Sequence, residues 1–162
     1  MKLSENRIKE LLSKTNNISH KCGCCCRFVK LTKYTGIKLY RNEDIRDTCY
    51  YRQSDASDCN LAPKTKGKID ITMWNIQWYG YLTEVARPIN NFKRSIICYL
   101  TEKLYDDCFM EFLDNSNKDN YGYITRNNKN IPVIIDFSHC ESDDWSTHNP
   151  FDDNIREDYL CI

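Results

Sequence analysis

The sequence predicts an α+β fold. Short runs alternate apolar and polar residues with a period of two, as strands do, while two longer stretches repeat apolar residues at helical spacing. Their order is helix, hairpin, helix, two strands, long helix, hairpin, tail, with strands grouped between helices as in α+β architectures. The 162 residues make a single domain, 1–162, a length that buries roughly two thirds of the unfolded surface. Hydrophobic residues at 41% and aromatics at 12% support a packed core rather than disorder.

Ser4 with residues 7–12 reads as a short amphipathic helix, Ser4 as N-cap and Ile8, Leu11 and Leu12 on one face. The cluster Cys22-Gly23-Cys24-Cys25-Cys26 follows. Residues 27–32 alternate like a strand, Tyr34-Thr35-Gly36 reads as a turn, and residues 37–40 return as the second strand of a hairpin. Asn42 is placed to cap a helix from Glu43 to about Ser57, whose early acids suit the positive end of the helix dipole. Leu61-Ala62-Pro63-Lys64 ends it. Residues 68–74 and 78–85 read as two strands. The longest helical stretch runs from Asn90 to about Leu113, with Ile96, Ile97, Leu100, Leu104, Cys108 and Phe112 at helical spacing. Residues 121–125 and 132–137 read as strands around a turn at 126–130. The tail, 139–162, is acidic and turn-rich, with one helical turn expected near 155–160.

The formal net charge is zero. No broad basic field invites nucleic acid, so none is expected as a partner; the sparse basic strip over residues 14–38 reads as a solvated edge. No signal-peptide pattern and no membrane-length apolar run are present, so a cytoplasmic location and no membrane partner are expected. The ten cysteines then read as thiols rather than a disulfide framework. Cys22-x-x-Cys25 has zinc-knuckle spacing with His20 nearby, but a second such pair is absent and the other cysteines are scattered. Packed thiols are therefore the expected state, zinc is not an expected cofactor, and a zinc-dependent interaction domain is the weaker alternative. Cys140 beside His139 could make a nucleophile, yet sequence neighbours seldom have the needed geometry. Trp74, Trp78 and Trp145 read as core or boundary residues. Abundant Asn, Lys, Asp, Ile and Tyr with little Gly, Ala or Pro suits an AT-rich genome, such as a virus or a low-GC microbe.

Four segments carry chemistry. Gly36-Ile37-Lys38-Leu39-Tyr40 sets a lysine among apolar residues on a strand, where it can point inward toward phosphate. The helix that follows ends in Leu61-Ala62-Pro63, and Tyr79-Gly80-Tyr81-Leu82-Thr83-Glu84-Val85 is a strand leading to a connection. Asp119-Asn120-Tyr121-Gly122-Tyr123-Ile124 is followed by Pro132-Val133-Ile134-Ile135-Asp136-Phe137-Ser138, an amide and a carboxylate on neighbouring loops. In this order, over residues 20–140, the segments resemble the protein-kinase-like superfamily, in particular truncated phage-type relatives. The resemblance implies a minimal kinase-like fold. After an N-terminal helix in 1–20, residues 21–86 would form an N-lobe of five or so antiparallel strands and one helix. Residues 87–162 would form a reduced C-lobe of a long helix and a β-hairpin, with an acidic tail. ATP and Mg2+ are the implied cofactors. Gly23 and Lys38 would face the phosphates, Glu84 would lie where the adenine edge is met, and Asn120 and Asp136 would hold the metal.

The sequence departs from that family at three places. Its phosphate loop has one glycine, Gly23. The helix offers Tyr50, Arg52 and Gln53 where an acid would pair with Lys38; Gln53 could hydrogen-bond the lysine but not neutralise it. The family's base lies five residues before its asparagine, and that position is Asn115; Asp114, one residue earlier, serves if the loop holds an extra residue, and Asp119 is an alternative metal contact. Little chain follows Asp136 to build substrate-holding helices. The expected function is thus a pseudokinase-type nucleotide-binding module acting mainly through a protein partner, such as a host factor of a phage. The alternative is an active minimal phosphotransferase with Asp114 as base, which requires Asp114 and Asp136 to share a cleft.

Overall fold

The computed structural model describes residues 4–14, 26–73, 75–89, 93–138 and 140–142. In chain order the elements are α1 (Glu5–Lys14), β1 (Cys26–Lys30), β2 (Thr35–Tyr40), α2 (Glu43–Asp58), β3 (Thr65–Met73) and β4 (Ile76–Glu84). There follow β5 (Arg87–Pro88), α3 (Arg94–Cys108), β6 (Met110–Phe112), β7 (Tyr121–Arg126), β8 (Lys129–Ile134) and β9 (Cys140–Ser142). The class is α+β. A four-stranded antiparallel sheet has the order β1-β2-β4-β3, a three-stranded sheet the order β5-β7-β8, and β6 pairs with β9. Among the described residues no helix is long and apolar enough to cross a membrane.

The period of two in β2 and β4 sorts their side chains onto two faces. Ile37 lies opposite Leu82 and Leu39 opposite Gly80. These join Val29, Ile71 and Trp78 in a core closed by Ile8 and Leu12 of α1. Burying each such aliphatic side chain contributes about 1.5–3 kcal/mol. Lys38, paired with Tyr81, and Tyr40 project from the other face, beneath α2. Asn42 caps α2, its Oδ1 accepting from the Ile45 N–H at 3.0 Å. The buried Arg46 fastens α2 to the sheet, donating to Asp70 Oδ1 at 2.9 Å and to the Gly80 carbonyl at 3.3 Å. It also pairs with Glu43 and Asp47.

A second core joins the end of α2 (Ala56) and the corner Leu61–Ala62 to Leu100 and Leu104 of α3, Tyr121, Ile134 and Phe137. Arg126, at the end of β7, closes the same junction. It donates to Asn60 Oδ1 at 2.6 Å and to Glu84 Oε2 at 3.0 Å.

Several expectations need correction, the first being the turn at Tyr34-Thr35-Gly36, because Thr35 and Gly36 already pair in β2 and the bend falls at residues 32–34. The long helix stops at Cys108, not near Leu113. Phe109 adopts a left-handed conformation (φ 53°) and sends its N–H back to the Leu104 and Tyr105 carbonyls. A non-glycine residue in that conformation costs roughly 1–2 kcal/mol, offset here because Met110 and Phe112 then bury alternately in β6. Next, β8 ends at Ile134 rather than Phe137, which leaves Ile135 outside the ladder. Last, four strands, rather than about five, form the first sheet among the described residues. The hairpin turn is tight: Asn127 and Asn128 both have positive φ (49° and 60°), the two-residue turn that suits twisted antiparallel strands. Gly23 with Cys22–Cys25, His20, Trp74, Asn90, His139, Trp145 and the expected helical turn in the tail lie outside the described residues.

Candidate functional site

Lys38 points from the middle of β2 into the space under α2 and is only 6% exposed. Its Nζ donates to Gln53 Oε1 at 2.8 Å and to the Ile135 carbonyl. No carboxylate lies within ion-pairing distance of it among the described residues. Burial works against the ammonium charge. In the alkaline range where Lys38 would lose its proton, the negative charges of Tyr81, Cys26, Asp136 and Cys49 outweigh it and hold Lys38 above the ordinary lysine range. Tyr81 and Cys49 are themselves held protonated by burial, Cys49 pushed up to about 11. Of these four, Asp136 is the carboxylate.

Gln53 is fully buried and uses its whole amide. Oε1 accepts from Lys38 and from Tyr81 Oη at 2.9 Å, while Nε2 donates to the Pro63 carbonyl at 2.8 Å and to Thr83 Oγ1 at 2.7 Å. Those partners fix the amide's orientation: a lysine has only donors, so it must meet the oxygen, and a carbonyl must meet the nitrogen. Gln53 thus occupies the place in α2 where the sequence offers no acid.

Ile135 ties the lysine to the asparagine. Its carbonyl accepts from Lys38, and its N–H donates to the Asn120 carbonyl at 2.7 Å. Its place immediately after the end of β8 makes both contacts available. Asn120, 4% exposed, ends a 3-10 turn over Lys118–Asn120. Its Nδ2 donates to Asp114 Oδ2 at 2.9 Å and to the Asp114 carbonyl at 3.2 Å. That leaves its Oδ1 without a protein donor among the described residues. Next to Ile135, Asp136 Oδ1 accepts from the Ser138 N–H at 3.0 Å and from Ser138 Oγ at 2.8 Å. Phe137, completely buried, pins this turn in the second core; truncating such a ring to Ala costs about 3–5 kcal/mol.

The structure therefore links Lys38, Asn120, Asp114 and, through Ile135, Asp136. Asp119 is exposed on the 3-10 turn. Glu84 sits apart, its Oε2 taken by Arg126 and by the Lys64 N–H at 3.2 Å, and its own N–H donated to the Lys64 carbonyl at 2.9 Å. Its side chain is a latch between strands, so an adenine edge would have to use backbone groups other than the Glu84 N–H. Sequence reasoning named Tyr81 and Ser138 only as members of their segments and gave Tyr81 no role beside Lys38 and Ser138 none beside Asp136. Tyr81 faces Lys38 across the β2–β4 ladder, so matching the alternation of the two strands finds it. Ser138 gives Asp136 both its N–H and its hydroxyl.

A polar depression of about 300 Å³ lies between the first turns of α2 and strand β3, lined by Glu43, Arg46, Asp47, Lys68, Ile69 and Asp70. Both its cations are already paired with its carboxylates. Set against models of known protein families and against curated proteins, the chain matches none.

Proposed function

We propose that this chain is a kinase-like domain that binds a magnesium-complexed nucleoside triphosphate between the first sheet and the β7–β8 hairpin, and that its output is contact with a protein partner. The observation that carries the reading is the buried Lys38 ammonium, held by two neutral acceptors beside Asp136. A buried cation is costly unless an anion meets it, and a polyphosphate would supply that anion. The donor set suits the group. Lys38 would hold phosphate oxygens. The Asn120 amide oxygen and the Asp136 carboxylate are hard oxygen ligands of the kind magnesium takes, and the metal would neutralise charge on the phosphates. The neutral Gln53 in place of an acid supports a binding module over a fast enzyme.

Thermal unfolding tests this. ATP with Mg2+ should raise the Tm of the wild type, by about 2.7 kcal/mol of stability at a hundredfold excess over Kd, and Asp136→Ala should abolish the shift. No shift at millimolar ATP would sink the nucleotide reading.

A second reading, phosphotransfer, is favoured by one specific contact. The Asp114 carboxylate is fixed to the Asn120 amide, although the loop carries one residue more than the family spacing. Asp114 would then accept the proton of a substrate hydroxyl. Release of phosphate to a hydroxyl acceptor that Asp114→Asn lowers at least a hundredfold, with ATP binding intact, would establish it.

A further inference from the structure

Two thiols from distant parts of the chain meet at the surface beside the second core. Cys59 is the C-cap of α2 and is exposed; Cys108 is the last residue of α3 and is half-buried. Cys59 Sγ donates to the Asp107 carbonyl oxygen at 3.9 Å, which sets the thiol against the residue next to Cys108 at the end of α3. Asn60, in a left-handed conformation (φ 61°), turns the chain immediately after Cys59, so that thiol sits on a fixed corner rather than on a frayed helix end. Both thiols are free.

We propose that Cys59 and Cys108 form a reversible disulfide that staples the end of α2 to the end of α3. The oxidant is a low-molecular-weight disulfide. The Cys59 thiolate attacks one of its sulfurs, that S–S bond breaks, and a mixed disulfide forms on Cys59 while the first small thiolate leaves and takes up a proton. Cys108 then gives its proton to solvent and attacks Cys59 Sγ. The mixed disulfide breaks, the protein disulfide forms, and the second small thiolate leaves and is protonated. Two protein thiols have lost two protons and two electrons, and the small disulfide has become two thiols. Exposure suits Cys59 to the first attack. Cys108, half-buried where Cys59 is exposed, takes the second, resolving step; burial first, then the neighbouring Cys59 and Asp107, push its thiol up to about 12. Capping Cys59 removes its charge and so eases that step. The bond would also restrain α2, the helix that carries Gln53.

The test uses the full chain in glutathione buffers of increasing oxidised fraction, followed by alkylation, digestion and mass analysis. The expected result is a linked pair of peptides containing Cys59 and Cys108, lighter by two hydrogens and separated by dithiothreitol. Oxidation should also raise the Tm of the wild type and not that of Cys59→Ser or Cys108→Ser. Recovery of both cysteines alkylated at poises where other cysteines oxidise would overturn the proposal, as would linkage of Cys59 to a different cysteine. The peptide map of the wild type decides the matter even if a variant folds poorly.

Discussion

Gln53 engages Lys38, Tyr81, Pro63 and Thr83 at once, so its removal strands groups on β2, on β4 and in the connection after α2. Gln53→Leu leaves the Lys38 ammonium one acceptor short and the Pro63 carbonyl without its donor. It should destabilise the fold by about 3–5 kcal/mol, the range for breaking a buried charged contact, read from urea unfolding. Gln53→Glu restores an acceptor for Lys38 but not the donors to Pro63 and Thr83. It should cost less, about 1–3 kcal/mol. A Gln53→Leu protein as stable as wild type would mean that Lys38 finds other partners. At this scale part of the site was legible. The alternation around Lys38 said that it points inward, and the position of Gln53 in the helix marked it as a partner. Tyr81 was not legible from its own segment, because its role exists only once β2 and β4 are in register.

The elements were read well where a local signal governs them. Asn42 with Glu43 and Asp44 marks the start of α2, and the alternating runs mark β1 to β4. The end of α3 was misread because Cys108 and Phe112 continue the helical spacing; what stops the helix is the pairing of β6 with β9, a contact with a segment far along the chain. Strand β5 is too short to announce itself. Its place depends on Gly122, opposite Pro88 in the ladder. A Cβ there would lie 2.9 Å from Ala86 Cβ and 2.9 Å from the Arg87 carbonyl oxygen, and a backbone oxygen cannot step aside cheaply. Gly122→Ala should therefore cost about 1–3 kcal/mol and speed amide exchange at Arg87 relative to β1–β4. Unchanged exchange at Arg87 would show that β5 is held by something other than this close approach.

At the scale of the whole molecule, the α+β class follows from the order of elements, whereas the site arises where the two cores meet. Ile135, shared by Lys38 and Asn120, carries no sequence signal because only its peptide group acts. The buried thiols and phenols give the molecule a common pH response. Burial raises Cys49 from 9.0 to about 11, and Tyr81 and Tyr40 are raised as well. A group raised in the folded state stabilises fully below its unfolded value, and that stability is lost as pH climbs through the folded value. Stability should be level up to about pH 9 and then fall by at most about 1.4 kcal/mol per pH unit for each such group. Cys49→Ala should flatten the fall between pH 9 and 11 in urea unfolding; the same slope in both proteins would contradict the assignment. The central claim is that the buried ammonium of Lys38 receives phosphate, and calorimetric titration of Mg·ATP into wild type and Lys38→Met tests it most directly. The account predicts saturable binding by the wild type and at least a tenfold weaker Kd for Lys38→Met in a protein that still unfolds cooperatively. Equal affinity in the two proteins, or no binding by the wild type, would contradict it.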